Sequence, residues 1–302
     1  AYFFTLIWPI MALAQFFSIQ SQAKASAERI SEYLDSEVTV KDSQDALDVK
    51  LHGHITLKNL TFQYPDGDTP VLKDISFDIK KGEMVGILGR TGSGKSSLVD
   101  LFLRTYNVDK NMFFIDDYDV MDVKIERVRD LMGYVPQDNF LFSETILDNI
   151  LFAFDKEDEA LAIEAAKLSD VHDNIIDFKD QYQTMLGERG VTVSGGQKQR
   201  LSIARAIAKD PEILILDDSV SAVDTKTEEA IISNLFNIRK NKTTIFIAHR
   251  ISTVKRMDKI ILLDQGKLVG IGNHASLLKT SPLYQDMVKR QQLETMVESE
   301  GA

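Results

Sequence analysis

No cysteine occurs among the 302 residues, which excludes a disulfide framework and any thiolate metal site. Basic charge is also scarce. Lys and Arg number 35 against 46 Asp and Glu, a net charge of −11, whereas a nucleic-acid-binding surface ordinarily needs a basic face. Metal-binding histidine clusters are missing as well: His52 and His54 alternate at a strand start, and His172 and His274 stand apart without ligand-spaced company. Glycine is absent from 107–119, where turns flank Met112-Phe113-Phe114-Ile115; Asn111 and Asp117 tolerate left-handed backbone and can serve there. The remaining composition, 44% apolar and 27% charged, is that of a globular chain with one large domain or two modest ones.

An apolar run from Tyr2 to Ile19, interrupted by Thr5, Pro9, Gln15 and Ser18, sets the N-terminus apart. A bilayer span needs about 20 apolar residues, so the run is marginal by itself. The first residue is Ala1 rather than Met, and the run reads as the end of a longer membrane helix. Tyr2, Phe3, Phe4, Trp8, Phe16 and Phe17 bracket it as interfacial anchors would. Two other readings stay open: a buried core helix, and a secretory leader, which Ala12-Leu13-Ala14 resembles but no basic region precedes. Beyond Ile19 the chain turns polar without a breaker, so a helix is predicted to continue to about Leu34. Lys24 and Arg29 mark its cytoplasmic end. Residues 1–36 are thus expected to be the end of a transmembrane helix with its cytoplasmic extension. Residues 37–51, acidic and aperiodic, are expected to be a linker.

From His52 to the C-terminus the pattern is that of an α/β domain. Ile55 and Leu57, then Ile75, Phe77 and Ile79, alternate with polar neighbours as half-buried antiparallel strands do. Met84-Val85-Gly86-Ile87-Leu88 reads as a central strand. It feeds into Gly89-Arg90-Thr91-Gly92-Ser93-Gly94-Lys95-Ser96, a full G-x-x-x-x-G-K-[ST] match. In such a loop the glycines let backbone N–H groups curl around a phosphate, the lysine reaches the β/γ-phosphates, and the serine hydroxyl completes a Mg²⁺ shell. The helix predicted over Ser97–Arg104 turns its positive end to the anion.

About a hundred residues later, Ser194-Gly195-Gly196-Gln197 opens a helix on which Leu201, Ala204, Ile207 and Ala208 share a face. Free N–H groups and a hydroxyl at a helix start suit a phosphate, although a capping serine explains the motif equally well. An apolar strand, Ile213-Leu214-Ile215-Leu216, then ends in Asp217-Asp218. In a chain with a phosphate loop this is the Walker B pattern, with Asp217 on Mg²⁺.

P-loop, S-G-G-Q and Walker B in this order resemble the nucleotide-binding domain of ABC ATPases over 52 to about 297. The resemblance implies a P-loop NTPase of ABC type over 52–302: a mixed-sheet core, an antiparallel β subdomain and a helical subdomain at about 139–204. It implies ATP and Mg²⁺ as ligands. Tyr64 matches the aromatic residue that stacks on adenine; Gly89 to Ser97 match the phosphate loop; Gln137, in Tyr134-Val135-Pro136-Gln137, matches the Q-loop residue at Mg²⁺ or its water. Asp224, closing Ser221-Ala222-Val223, matches the D-loop that touches the partner subunit, and His249 matches the switch histidine at the γ-phosphate. Thr184 to Gly190 resemble the T-x-V-G-E-x-G loop of exporters, which faces the membrane domain. The apolar N-terminus and this loop both suggest a transporter and favour an exporter in the cell membrane, its ATPase domain cytoplasmic; a small amphipathic substrate is what the resemblance implies.

One departure matters. Family members normally carry glutamate at Asp218. Aspartate is one methylene shorter, about 1.5 Å, and a misplacement of about 1 Å can cost ~10²-fold in rate. ABC domains pair head to tail, so this chain is expected to lend an intact signature to its partner's site while keeping a weak base at its own, as in heterodimeric multidrug exporters. Two alternatives remain: a regulatory subunit that binds ATP with little hydrolysis, and a soluble ABC ATPase acting on nucleic acid or ribosomes, which the charge of −11 disfavours.

Overall fold

The computed structural model describes residues 2–156, 158–219 and 224–300 and divides after Lys41 into two units. The first contains α1 (Tyr2–Leu34), a single 33-residue helix with Pro9 inside it and no buried residue. Alanines and long polar side chains carry it past the apolar run without a break. Among the described residues it is the one helix long and apolar enough to cross a membrane.

The second unit contains two sheets. The smaller, entirely antiparallel, has the order β2-β1-β4-β5, with β1 at Ile55–Phe62, β2 at Leu72–Ile79, β4 at Phe113–Ile115 and β5 at Tyr118–Asp119. The larger has six strands. Its order is β10-β9-β3-β8-β7-β6, from β3 (Met84–Gly89), β6 (Met132–Val135), β7 (Ile213–Asp217), β8 (Thr243–Ala248), β9 (Lys259–Asp264) and β10 (Lys267–Gly272). Only the β9–β10 pair is antiparallel.

The helices of the described residues follow in chain order: α2 (Lys95–Phe102), α3 (Ile125–Leu131), α4 (Ile146–Ile150), α5 (Glu159–Leu168), α6 (His172–Ile176), α7 (Gly195–Ala208), α8 (Thr225–Ile238), α9 (Ile251–Val254), α10 (His274–Thr280) and α11 (Pro282–Glu300). The helix predicted over Ser97–Arg104 begins two residues earlier, at Lys95, directly off Gly94. Arg104 lies beyond its end at φ +52.

Two-residue periodicity explains the layering. Along β3, Val85 and Ile87 join the core shared with the small sheet, whereas Met84 and Leu88 join the core shared with the helices. On β7 the same division separates Ile213 and Ile215 from Leu214 and Leu216. The central strands are therefore buried on both faces, and their C-terminal ends meet along one edge, where α/β sheets place ligands.

Residues 42–54 are strapped to this unit. Asp42 accepts a 2.8 Å bond from the Ile125 N–H, and Leu47 bridges Val123. Asp48 pairs with Lys124 and Arg127, which hold its carboxyl down to about 2, Arg127 most strongly. The Asp116 carboxylate accepts the N–H groups of His52, Gly53 and His54.

The turn between β9 and β10 is a two-residue hairpin, with Gln265 at φ +47 and Gly266 at φ +76, the signs a type I′ turn demands. Asn111, Asp116 and Asp117 likewise take positive φ, supplying the turns of the glycine-free stretch.

Candidate functional site

The phosphate-loop residues run from the end of β3 into α2. Gly94 has φ +98, and a Cβ there would stand 2.6 Å from Leu72 Cδ2. Gly92, at φ +78, faces open space. Lys95 is buried, and its Nζ donates to the carbonyls of Gly89 at 2.8 Å and Arg90 at 3.1 Å. Burial lowers its pKa, against the pull of Asp217 and Asp218. Ser93 Oγ is buried without a hydrogen-bond partner. The hairpin turn supports the loop from behind, the Gly266 N–H donating to the Ser93 carbonyl at 3.2 Å.

Strand register brings the other groups to the same edge. β8 lies between β3 and β7, with Ala248 opposite Leu88 and Ile247 opposite Asp217. Asp217 is 8% exposed. Burial raises its pKa, the Asp218 charge adds to the rise, and Tyr134 and Lys95 oppose it; the Tyr134 hydroxyl donates to its Oδ2 at 3.4 Å. Asp218 is half-buried at φ +45, its N–H bonded to the Ile247 carbonyl at 2.8 Å. Solvent reaches His249, yet crowding around its ring and the charge of Lys95 lower its pKa, with Asp218 opposing. Arg90, Thr91, His249 and Gln291 line an open cleft of about 460 Å³ here. Gln137 is exposed two residues beyond β6.

An unpartnered buried hydroxyl, an open glycine face and a buried ammonium fit a phosphate chain. Two adjacent acids, one with a raised pKa, fit a divalent cation held by oxygen ligands. Ser96 is exposed and open to such a cation, whereas Ser97 is buried, with its Oγ 2.9 Å from the Tyr64 hydroxyl. Tyr64 also donates to Asp100 at 3.2 Å, and its half-buried ring packs edge-on against Phe62 and Tyr106 at 5.0 Å.

Ser194 does cap α7. Its Oγ accepts from the Gln197 N–H, and the Gln197 side chain accepts from the Ser194 N–H, a reciprocal capping box. The box leaves the hydroxyl proton available, so capping and anion binding are compatible. Gly195 faces open space and Gly196 is half-exposed. The side-chain bonds of Ser194 and Gln197 join these two residues to each other, and the Ser194 carbonyl accepts from the Lys198 N–H at 2.9 Å. Asp224 caps α8, accepting from Lys226 and Thr227 at 3.1 Å; Ser221-Ala222-Val223 lie outside the described residues.

Sequence reasoning missed Tyr134 and Gly266. Tyr134 was read only as context for Gln137, and nothing local announces its reach to Asp217. Gly266 had a signal, a glycine between the apolar run 260–263 and the apolar pair Leu268-Val269, where a turn is expected.

A family model described as ABC transporter matches residues 72–221. The probable multidrug resistance ABC transporter ATP-binding/permease protein YheI of Bacillus subtilis is 41% identical over 297 residues, 97% of this chain and 50% of its own length. The chain belongs to the ABC transporter family. The multidrug resistance-like ATP-binding protein MdlA of Buchnera aphidicola is 37% identical, over 97% of this ABC chain and 51% of its own. A solved structure of a bacterial Atm1-family ABC exporter with ATP bound superposes with a TM-score of 0.83 at 37% identity, covering 90% of this chain and 47% of that one. This ABC chain spans about half the length of the curated relatives it matches.

Proposed function

We propose that this chain is the ATP-hydrolysing part of an ABC exporter subunit that dimerises head to tail around two ATP. The observation that carries this is the convergence of Lys95, Asp217, Asp218 and His249 at the ends of β3, β7 and β8. Gly89 to Ser97 would hold the phosphates, and Tyr64 would face the adenine. Ser96, Asp217 and Gln137 would hold Mg²⁺, which supplies charge neutralisation at the β- and γ-oxygens. Asp218 would orient and deprotonate the attacking water. His249, kept neutral near pH 7 by its lowered pKa, would contact the γ-phosphate.

Ser194, Gly195, Gly196, Gln197 and Asp224 would serve the partner's site; the side-chain bonds described for Ser194, Gln197 and Asp224 are all local caps, which supports this. α1 would continue a membrane helix, with the ATPase domain cytoplasmic. Thr145 bridges Met185, and Met185 is 57% exposed in the loop that resembles the exporter motif, which supports that loop as the contact with the membrane domain. The names of the relatives, which speak of multidrug resistance, support a drug as cargo, and a small amphipathic molecule is proposed.

The short Asp218 supports a different, glutamate-bearing half-transporter as the partner. Co-expression and copurification of the full-length subunits test this. A 1:1 heterodimer whose ATPase rate falls at least about 10-fold on Gly195→Ala supports the reading; a brisk homodimeric ATPase, or a heterodimer indifferent to Gly195, overturns it.

A further inference from the structure

Glu228 is a buried carboxylate with no part in the chemistry above. It lies one turn into α8 and is 3% exposed, as is Thr253, whose Oγ1 donates to Glu228 Oε1 at 2.5 Å. Burying a carboxylate costs far more than burying a leucine in its place, so packing alone does not account for it.

The location of this bond is informative. The Glu228 N–H donates to the Asp224 carbonyl at 2.9 Å, so the residue sits directly under the cap of α8. Thr253 belongs to α9, the four-residue helix that starts two residues after His249. On its other side α9 is held by α11, the Ile251 N–H donating to Gln291 Oε1 at 2.5 Å. Ile251 and Val254 supply the apolar packing of the same helix. One buried bond therefore joins the helix headed by Asp224 to the turn that carries His249.

We infer that Glu228 is a positioning residue for His249, acting through Thr253 and α9. The inference rests on the ATPase reading: the bond fixes where the imidazole stands at the phosphate loop. It also makes the His249 turn follow any displacement of the Asp224 end of α8. Since Asp224 would serve the opposite site, the same bond connects the two sites of a dimer.

The test uses the 302-residue chain with labelled histidines, the His249 NMR signal being assigned by its loss in His249→Gln. Thr253→Val removes the hydroxyl at nearly constant shape, Thr253→Ser keeps it, and Glu228→Leu/Thr253→Val removes both partners. Thr253→Val should shift the His249 signal and, in the copurified pair of full-length subunits, lower kcat for Mg-ATP about 10-fold, with KM within about two-fold. Thr253→Ser should restore both. The double variant should regain thermal stability, because no polar group is left unpaired, yet keep the low kcat and the shifted signal. The inference is overturned if Thr253→Val leaves the His249 signal in place, if Thr253→Ser shifts it as far as Thr253→Val, or if the double variant recovers it together with stability. Wild-type chain that binds no Mg-ATP would refute the ATPase reading instead, while the NMR comparison still decides the link.

Discussion

Lys95 Nζ lies 2.8 Å from the carbonyl oxygen of Gly89, the residue that ends the central strand. The ammonium is thus held by the loop it closes, in a position that burial makes costly for a cation. An arriving phosphate chain relieves that cost. Lys95→Ala should therefore weaken Mg-ATP binding by about 10- to 100-fold, the range of one charge-assisted hydrogen bond, without loss of folded structure. Titration calorimetry checks this; unchanged affinity would remove Lys95 from the site.

Asp218 should limit the rate of its own site. Asp218→Glu extends the carboxylate by about 1.5 Å and should raise single-turnover hydrolysis about 10-fold or more, whereas Asp218→Asn should lower it. The backbone there has φ +45, which aspartate tolerates better than glutamate. The faster variant should accordingly melt at a slightly lower temperature.

Asp217 sets a pH dependence of definite sign. Burial and the neighbouring Asp218 charge raise its pKa above 3.8, so the metal-free folded state binds its proton more tightly than the unfolded state does. Its contribution to stability is complete below pH 3.8 and is lost as pH rises through the raised value. Urea midpoints measured in EDTA should fall across that window in the wild type and less so in Asp217→Asn. Mg²⁺ competes with the same proton, so Mg²⁺ affinity should weaken as pH drops into the window.

Gly266→Ala should destabilise the protein by about 2–4 kcal/mol. A Cβ would stand 2.0 Å from the Val71 carbonyl oxygen at a φ of +76. The same change should loosen the Gly266–Ser93 bond and speed amide exchange in 89–94, read by mass spectrometry.

Much of this architecture was legible because its signals are local. Val85 and Ile87 against Met84 and Leu88 reveal a doubly buried strand, and Gly89 to Ser96 reveal the loop that follows. Within the helical subdomain expected at about 139–204, α5 occupies Glu159–Leu168, capped by Asp158 and ended at Ser169. Long-range contacts were not legible. Asp48 reads as one acid in an acidic segment, and only the fold brings Lys124 and Arg127 to it. Tyr134 and Asp217 are 83 positions apart, joined by the pairing of β6 with β7, and no spacing rule encodes that neighbourhood.

The reciprocal cap at Ser194 has a chemical corollary. With its oxygen already accepting from the Gln197 N–H, the hydroxyl still has its own proton to offer to an acceptor. This end of α7 thereby presents donors alone, one hydroxyl and the free N–H groups of its first turn, and so favours an anion over a cation.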